Sequence, residues 1–351
     1  MKDTIKAIVK KESQQGLWLS DVSLPSIDDY SVLIKVKKTG ICGTDLHIYN
    51  WDKWAQKTVP IPMIIGHEFS GVVVDKGKKV THIEIDDRVS AEGHLVCGYC
   101  RNCKAGRGHL CRNTKGIGVN IPGAFSEYIS VPESNIIKIP SDISDDIAAL
   151  FDPLGNAFHT SLSFNVIGED VLITGAGPIG IMAAKICEVI GARKIILTDI
   201  NDNRINLAKK LDVKLTYNTK KTSFKSLMEI NNMKEGFDVG LEMSGSSHAL
   251  NDMITTMNNG GKIAILGIAP TSFEVNWNDV IFKMLEIKGI YGREMFETWY
   301  KMISLIQSGL DVKNIITHNF HFTDFEKAFD SLRWSFIKKA LKAFNFGNKF
   351  I

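Results

Sequence analysis

The 351-residue chain lacks a long apolar run, and it lacks an excess of charge of either sign. Its 42 basic and 39 acidic residues leave only +3, which argues against a chain built mainly to hold nucleic acid or an anionic membrane. The apolar stretch IGIMAAKICEVIGA is broken by Lys185 and Glu188, and the N-terminal MKDTIKAIVK has no extended apolar segment behind its first lysine. Neither a membrane-spanning helix nor a secretory leader is expected, and the expected location is the cytoplasm. No internal repeat, low-complexity tract or Pro/Ser-rich linker interrupts the chain. What remains is the composition of an ordinary soluble protein, 44% hydrophobic and 23% charged, long enough for about two domains. The expected partners are small molecules and copies of the chain itself.

Cysteine is sparse too, six in all, yet four lie within HLVCGYCRNCKAGRGHLC, residues 94 to 111. In a reducing compartment such a cluster binds metal more often than it forms disulfides. Cys97, Cys100, Cys103 and Cys111 follow C-x-x-C-x-x-C-x7-C, with Gly98, Gly106 and Gly108 letting the backbone turn around a common centre. Four thiolates suit tetrahedral zinc. An iron–sulfur cluster is the alternative, although the fourth cysteine is not in the C-x3-C-P arrangement of ferredoxins. Arg101, Lys104, Arg107, Arg112 and Lys115 offset the negative charge of the thiolates. Zinc with all four positions filled by protein admits no substrate, so the cluster is expected to staple the fold while the chemistry lies elsewhere. His94 and His109, flanking it, read as solvated loop residues.

The hydrophobic pattern divides the chain. VLIKVKK at 32 to 38 alternates as a strand, IIGHEFSGVVVDKG at 64 to 77 reads as a second strand and turn, and AFSEYISVP at 124 to 132 as a third. From about residue 150 the pattern becomes apolar strand, Gly-rich turn, helix, apolar strand in VLITGAGPIGIMAAKICEVIGARKIILTDI, a βαβ unit. FDVGLEMSG at 237 to 245 and GKIAILGIAP at 261 to 270 read as later buried strands of the same parallel sheet. Cys187, in the apolar helix, reads as core.

The βαβ unit carries a dinucleotide fingerprint in its required context. Gly175 permits the tight turn, Gly177 lets the backbone approach a pyrophosphate, and Gly180 allows close helix packing, with the anion on the helix N-terminus. Asp199 ends the next strand, where a carboxylate accepts from a ribose 2′-hydroxyl and repels a 2′-phosphate, favouring NAD over NADP. Arg204 lies either against the adenine or in solvent. A nicotinamide protein with one closed zinc invites a second, open one. Cys42 in KTGICGTDLH and His67 in IIGHEFSG combine good zinc ligands with glycines that let the chain bend.

The order Cys42, G-H-E at 66 to 68, the four-cysteine lobe and GAGPIG resembles the zinc-containing medium-chain dehydrogenases. ICGTDLHIYNWDKWAQKTVPIPMIIGHEFSG, HLCRNTKGIGVNIPGAFSEY, FDPLGNAFHTSLSF, GFDVGLEMSG and IKGIYGREMFETWYKMISLIQSGLD are similar to the L-threonine 3-dehydrogenase branch of that family, from about residue 6 to about residue 333. The resemblance implies an α/β fold. A GroES-like catalytic domain would span 1–150, completed by about 292–351, with a Rossmann NAD-binding domain at 151–291. It also implies two zinc ions per subunit, with Cys42 and His67 as catalytic ligands and Glu68 as a ligand that comes and goes. Asp152 would lie beside the metal, and Thr44 and His47 would relay a proton. For NAD it implies Ile179, Asp199, Arg204, Leu266, Gly267, Ile268, Ile290 and Tyr291. The implied reaction is zinc-assisted oxidation of the L-threonine β-hydroxyl by NAD. The product, 2-amino-3-oxobutanoate, would pass to a CoA ligase, and the assembly would be a homotetramer. A related polyol or alcohol dehydrogenase and a non-catalytic NAD- and zinc-binding protein are the alternatives.

Arg293 in YGREMFETWY is the expected partner of the substrate carboxylate, with a structural salt bridge as its other reading. His159, seven residues after Asp152, is read as a packing residue. Two departures from the family pattern stand out. Asp86-Asp87-Arg88-Val89 replaces the usual G-D-R-V, which predicts aspartate in a turn that favours glycine. SFIKKALKAFNFGNKFI replaces the usual last strand; this basic, amphipathic tail reads as a different helix or as the product of a shifted reading frame at the gene's end, and if it cannot pair as the usual strand the catalytic domain loses an edge.

Overall fold

The computed structural model describes residues 3–334 and 341–345. Two sheet systems carry the chain. In the first, Ser31–Gly40 is the hub: it pairs antiparallel with Phe69–Lys76 and with Tyr128–Pro132. The sheet extends through Arg88–Ala91 to Ile136–Lys138 on one side and through Leu341–Asn345 to Ile316–His321 on the other. Val32, Ile34, Val36, Phe69, Val73, Val89, Ile129 and Val131 fill its interior. Each such aliphatic side chain, fully buried, contributes about 1.5–3 kcal/mol relative to exposure. A smaller antiparallel sheet joins Trp18–Ser23, Thr4–Lys10 and Met63–Ile64.

The last strand corrects the expectation for the tail. Leu341–Asn345 forms no helix. It runs parallel to Ile316–His321 and antiparallel to Ser31–Gly40, with Ala343 opposite Gly40 and Asn345 opposite Lys38. The sheet therefore keeps its strand at this place; residues 335–340 and 346–351 of the unusual tail lie outside the described residues. The other departure appears as expected, with Asp86 at φ +71°, in the left-handed region that disfavours aspartate.

The second system is a six-stranded parallel sheet in the order Leu215–Asn218, Lys194–Asp199, Asp170–Thr174, Phe237–Glu242, Met257–Ile265, Glu286–Gly289. Asp170–Thr174 is buried throughout, as a strand covered on both faces must be. The sequence order reverses direction beside it, so the ends of Asp170–Thr174 and Phe237–Glu242 flank the crevice where doubly wound sheets bind ligands. Helix Pro178–Val189 follows with proline at its first turn and buries eight of its 12 residues. Cys187 is part of that core, and burial pushes its thiol up to about 12. Met257–Ile265 starts earlier than the sequence pattern indicated and stops at Ile265, leaving 266–268 outside the strand, beyond its C-terminal end. No helix among the described residues is long and apolar enough to cross a membrane.

Candidate active site and coenzyme crevice

Cys42 ends the run out of strand Ser31–Gly40 and caps helix Gly43–Asn50. Its backbone N–H donates to Asp45 Oδ2 at 2.8 Å, which orients the first turn. His67 and Glu68 follow Gly66 at φ +89°, where a Cβ would meet the Phe125 ring at 2.1 Å, so only glycine makes the bend. A Cβ on Gly40 would lie 2.1 Å from Glu68 Oε2, so a side chain there would displace the Glu68 carboxylate. The result is a compact donor set: one ligand atom each from Cys42, His67 and Glu68, all within 4.8 Å of one another.

The polar atoms at this place are unsatisfied. His67 Nδ1, Glu68 Oε2 and Asp45 Oδ1 are buried without hydrogen-bond partners. Buried polar groups are normally paired, so three orphans around a thiol fit a cation. The charges agree. Burial opposes ionisation of the Cys42 thiol, but His67 beside it reverses the effect and holds the thiol below its ordinary value. Burial likewise disfavours a charged His67, yet the Cys42 thiolate, Asp45 and Asp152 together hold it well above the usual imidazole range. Burial and the Cys42 thiolate push Glu68 up, and burial raises Asp45 to about 6. Asp45 Oδ1 lies 3.9 Å from His67 Nδ1.

Thr44 and His47 share one face of the helix, three residues apart. Thr44 Oγ1 is 3.7 Å from Cys42 Sγ, whereas the exposed His47 rests its Nδ1 on the Asp52 carboxylate. Asp52 Oδ1 also accepts from Trp54 N and Ala55 N at 3.1 and 3.0 Å, so the carboxylate holding His47 is itself fixed as a helix cap.

Asp152 begins helix Phe151–Ser161, close to His67: a Cβ on Gly93 would be 3.4 Å from Asp152 Oδ2 and 3.8 Å from His67 Cβ. The structure revises the role expected of Arg293. It is buried and its guanidinium is committed to Glu92 and Asp152, so the salt-bridge reading holds and no face is left for a substrate carboxylate. His94 is corrected as well: rather than lying in solvent, it is partly buried, with Nδ1 2.8 Å from Glu92 Oε1 and its ring 5.5 Å from that of Tyr291. His109 is partly buried too and stacks edge-on against His159 at 6.3 Å. His159 packs as expected, its Nδ1 3.0 Å from the Gly292 carbonyl.

The residues expected to hold a coenzyme are placed as follows. Gly175 adopts φ +98°, and a Cβ on it would press on Ser244 at 3.0 Å. On Gly180 a Cβ would sit 1.9 Å from the Gly175 carbonyl oxygen, whereas Gly177 faces open space. These are the three duties of a pyrophosphate turn: bend, helix contact and open approach. Asp199 is held by two backbone donors, Ala176 N to Oδ2 and Asn201 N to Oδ1, both at 2.9 Å. Arg204 Nη1 lies 3.2 Å from the same carboxylate, which places the guanidinium against Asp199 rather than free in solvent. Ile179, Leu266 and Gly267 are partly buried and Ile268 is 87% exposed. Ile290 is buried while Tyr291 is 69% exposed.

The four cysteines also come together. All four sulfurs lie within 4.8 Å, with Cys97–Cys111 and Cys100–Cys103 at 3.5 Å. Tetrahedral bonds of about 2.3 Å to zinc would separate sulfurs by about 3.8 Å, so the set fits zinc with little movement. Among the described residues this and the Cys42 group are the two clusters with metal-ligand geometry.

Sequence reasoning missed Asp45, Glu92, Asn156 and Trp299. Asp45 had a signal, a carboxylate three residues after a helix-capping position. Glu92 and Trp299 meet across 207 residues, and no local pattern announces such a contact.

Residues 28–141 match the alcohol dehydrogenase GroES-like domain, and residues 178–308 match the zinc-binding dehydrogenase domain. A curated relative from Mesorhizobium japonicum, named L-threonine 3-dehydrogenase, is 61% identical over 333 residues, covering 95% of this chain and 97% of its own. A relative of the same name from Aliivibrio fischeri is 59% identical over 329 residues, covering 94% and 96%. Among solved structures, a protein described as a short chain alcohol dehydrogenase from E. coli, complexed with the cofactor NADH, matches with a TM-score of 0.89 at 25% identity, covering 98% of this chain and 100% of that one. 2R,3R-butanediol dehydrogenase from Bacillus subtilis matches with a TM-score of 0.88 at 25% identity over the same shares.

Proposed function

Because the chain belongs to the zinc-binding dehydrogenases with a GroES-like domain, we propose that it oxidises the β-hydroxyl of L-threonine with NAD, giving 2-amino-3-oxobutanoate. The observation that carries this reading is the set of near full-length relatives sharing the name L-threonine 3-dehydrogenase. The unsatisfied donor set at Cys42, His67 and Glu68 supplies the chemistry such a reaction needs.

In this reading Cys42, His67 and Glu68 hold a catalytic zinc, while Cys97, Cys100, Cys103 and Cys111 hold a structural one. Bound zinc supplies a Lewis acid to the substrate hydroxyl and NAD supplies the hydride acceptor. The chain does the rest. Asp45, 3.9 Å from His67 Nδ1, and Asp152 both place negative charge beside the centre. Thr44 stands at the buried end of the exit route for the hydroxyl proton. At the exposed end, His47 is held on Asp52 and passes that proton to water, a task suited to the side chain that titrates nearest neutrality. Gly175, Gly177 and Gly180 receive the pyrophosphate on the N-terminus of helix Pro178–Val189, and Asp199 accepts from the adenosine ribose, with Arg204 beside it. Ile179, Leu266, Gly267, Ile268, Ile290 and Tyr291 line the remainder of the crevice.

The chain is proposed to work in the cytoplasm as a homotetramer, ahead of a ligase that joins its product to CoA. Self-association is supported by the edge strand Glu286–Gly289, which is flanked by Phe282 and Met284, 78% and 82% exposed.

Absorbance of reduced nicotinamide tests the reaction, using zinc-loaded protein with L-threonine, a polyol panel and 2,3-butanediol, each with NAD and NADP. Reduction of NAD with L-threonine, at least about tenfold faster than with NADP or any other alcohol, is expected. A preference for a polyol sinks the substrate assignment and keeps the family chemistry.

Metal uptake should itself move protons. His67 keeps its proton above the ordinary imidazole range without metal, and a ligand imidazole must be neutral. Binding at neutral pH is therefore expected to expel a proton, with affinity rising with pH until that raised value is passed. Calorimetric titration of protein stripped only of its exchangeable metal, in two buffers of different ionisation enthalpy, reads the release. Equal heats in both buffers would contradict it.

A further inference from the structure

Beside the metal centre, the protein buries a three-charge network whose purpose the reaction above leaves open. Glu92 follows strand Arg88–Ala91 and is 0% exposed; Arg293, beyond Ile290, is 2% exposed. Arg293 Nε and Nη2 donate to Glu92 Oε2 and Oε1 at 2.8 and 2.6 Å, a bidentate fork, while Nη1 lies 2.8 Å from Asp152 Oδ1 and donates to Asn156 Oδ1 at 3.2 Å. Glu92 is pinned in turn by Trp299 Nε1 at 2.8 Å and by the backbone N–H of His94 at 3.0 Å. Space is cleared for the arginine: a Cβ on Gly155 would lie 2.4 Å from Arg293 Cδ. A planar fork held on this many sides has one orientation.

Asp152 is the member of this network that also faces the centre. It is near enough to act on His67 and Glu68 through its charge, yet its carboxylate is not among the three groups whose ligand atoms lie within 4.8 Å. Carboxylates are ordinary zinc ligands. What differs here is that Arg293 engages one of the Asp152 oxygens. An unpaired arginine beside the centre would repel a cation, and Glu92 cancels that charge.

We propose that Arg293, locked by Glu92, is a positioning residue that holds the Asp152 carboxylate out of the metal coordination sphere, leaving a position open for substrate. This rests on the reading of Cys42, His67 and Glu68 as the metal centre.

Cobalt(II) reports coordination directly, because the position and strength of its visible bands follow the ligands and their number. The bands that vanish in Cys42→Ser belong to this centre and not to the four-cysteine cluster. In the full-length, charge-balanced double variant Glu92→Gln/Arg293→Met those bands are expected to shift as the Asp152 carboxylate takes the open fourth position in place of solvent, and adding Asp152→Asn is expected to return them. Loss of a merely structural contact would not be reversed by that third change. Should the double variant not fold, Arg293→Lys, which keeps the charge but not the fork, is expected to show the same shift and the same reversal. Unshifted bands in a folded variant, or a shift that Asp152→Asn leaves in place, overturn the proposal. If the unaltered protein has no Cys42-dependent band, the metal-centre reading falls and this inference with it.

Discussion

Cys42→Ser is expected to lower L-threonine-dependent NAD reduction by about 1000-fold or more, since a Lewis-acid metal contributes several kcal/mol at the reacting oxygen. The substitution removes the thiolate from the three-residue donor set while leaving the four-cysteine cluster untouched. Metal content should drop by one zinc per chain, with unchanged circular dichroism and unchanged affinity for NADH followed by fluorescence. Retained activity in a folded one-zinc variant would remove the centre from the reaction. Cys42 also caps helix Gly43–Asn50 through its backbone N–H, which donates to Asp45 and survives the change to serine. Misfolding therefore gives no alternative account of the loss.

The second large effect concerns stability. Arg293→Met leaves Glu92 buried without its cation, and breaking a buried pair on one side costs about 3–5 kcal/mol. The apparent Tm is expected to fall by roughly 5–10 °C, and Glu92→Gln/Arg293→Met should recover part of it, because the charge at Glu92 is gone while Asp152 still lacks its partner. Equal Tm for the single variant and the unaltered chain would mean that the network adds nothing to the fold. The pH window follows from the direction of the shift. Burial alone would raise the Glu92 carboxyl, but Arg293 and His94 hold it far below the usual carboxylate range. A depressed carboxylate contributes stability that is complete above its unfolded value of about 4.3 and fades only as pH falls through the folded one. In the single variant burial dominates and raises Glu92, so the difference between it and the unaltered chain should be flat above that raised value and shrink progressively as pH falls below it towards strong acid.

The sequence made much of this protein legible because short-range chemistry wrote it. Glycines at 175, 177 and 180 between an apolar strand and an apolar helix determine a tight strand-to-helix turn, since the bend at 175 and the helix contact at 180 each exclude a side chain and 177 leaves the approach open. Four cysteines within fifteen residues bring four sulfurs together because the intervening segments are short. Cys42 and the His67-Glu68 pair are farther apart in sequence, but each lies beside a glycine bend, and that spacing is local enough to read.

What the tertiary structure alone decided is what long-range pairing controls. Arg293 reads in sequence as a free cation ready for a carboxylate; only the approach of Glu92, 201 residues away, shows it to be spent. His94 reads as solvated until the same carboxylate claims it. The tail reads as basic and amphipathic, with a helix as one of its readings, yet residues 341–345 become a strand because Ser31–Gly40 and Ile316–His321 offer backbone partners on either side. Local sequence fixes turns, caps and ligand clusters, whereas the partners of a buried charge or a sheet edge are set by which distant segments the fold brings within hydrogen-bond reach.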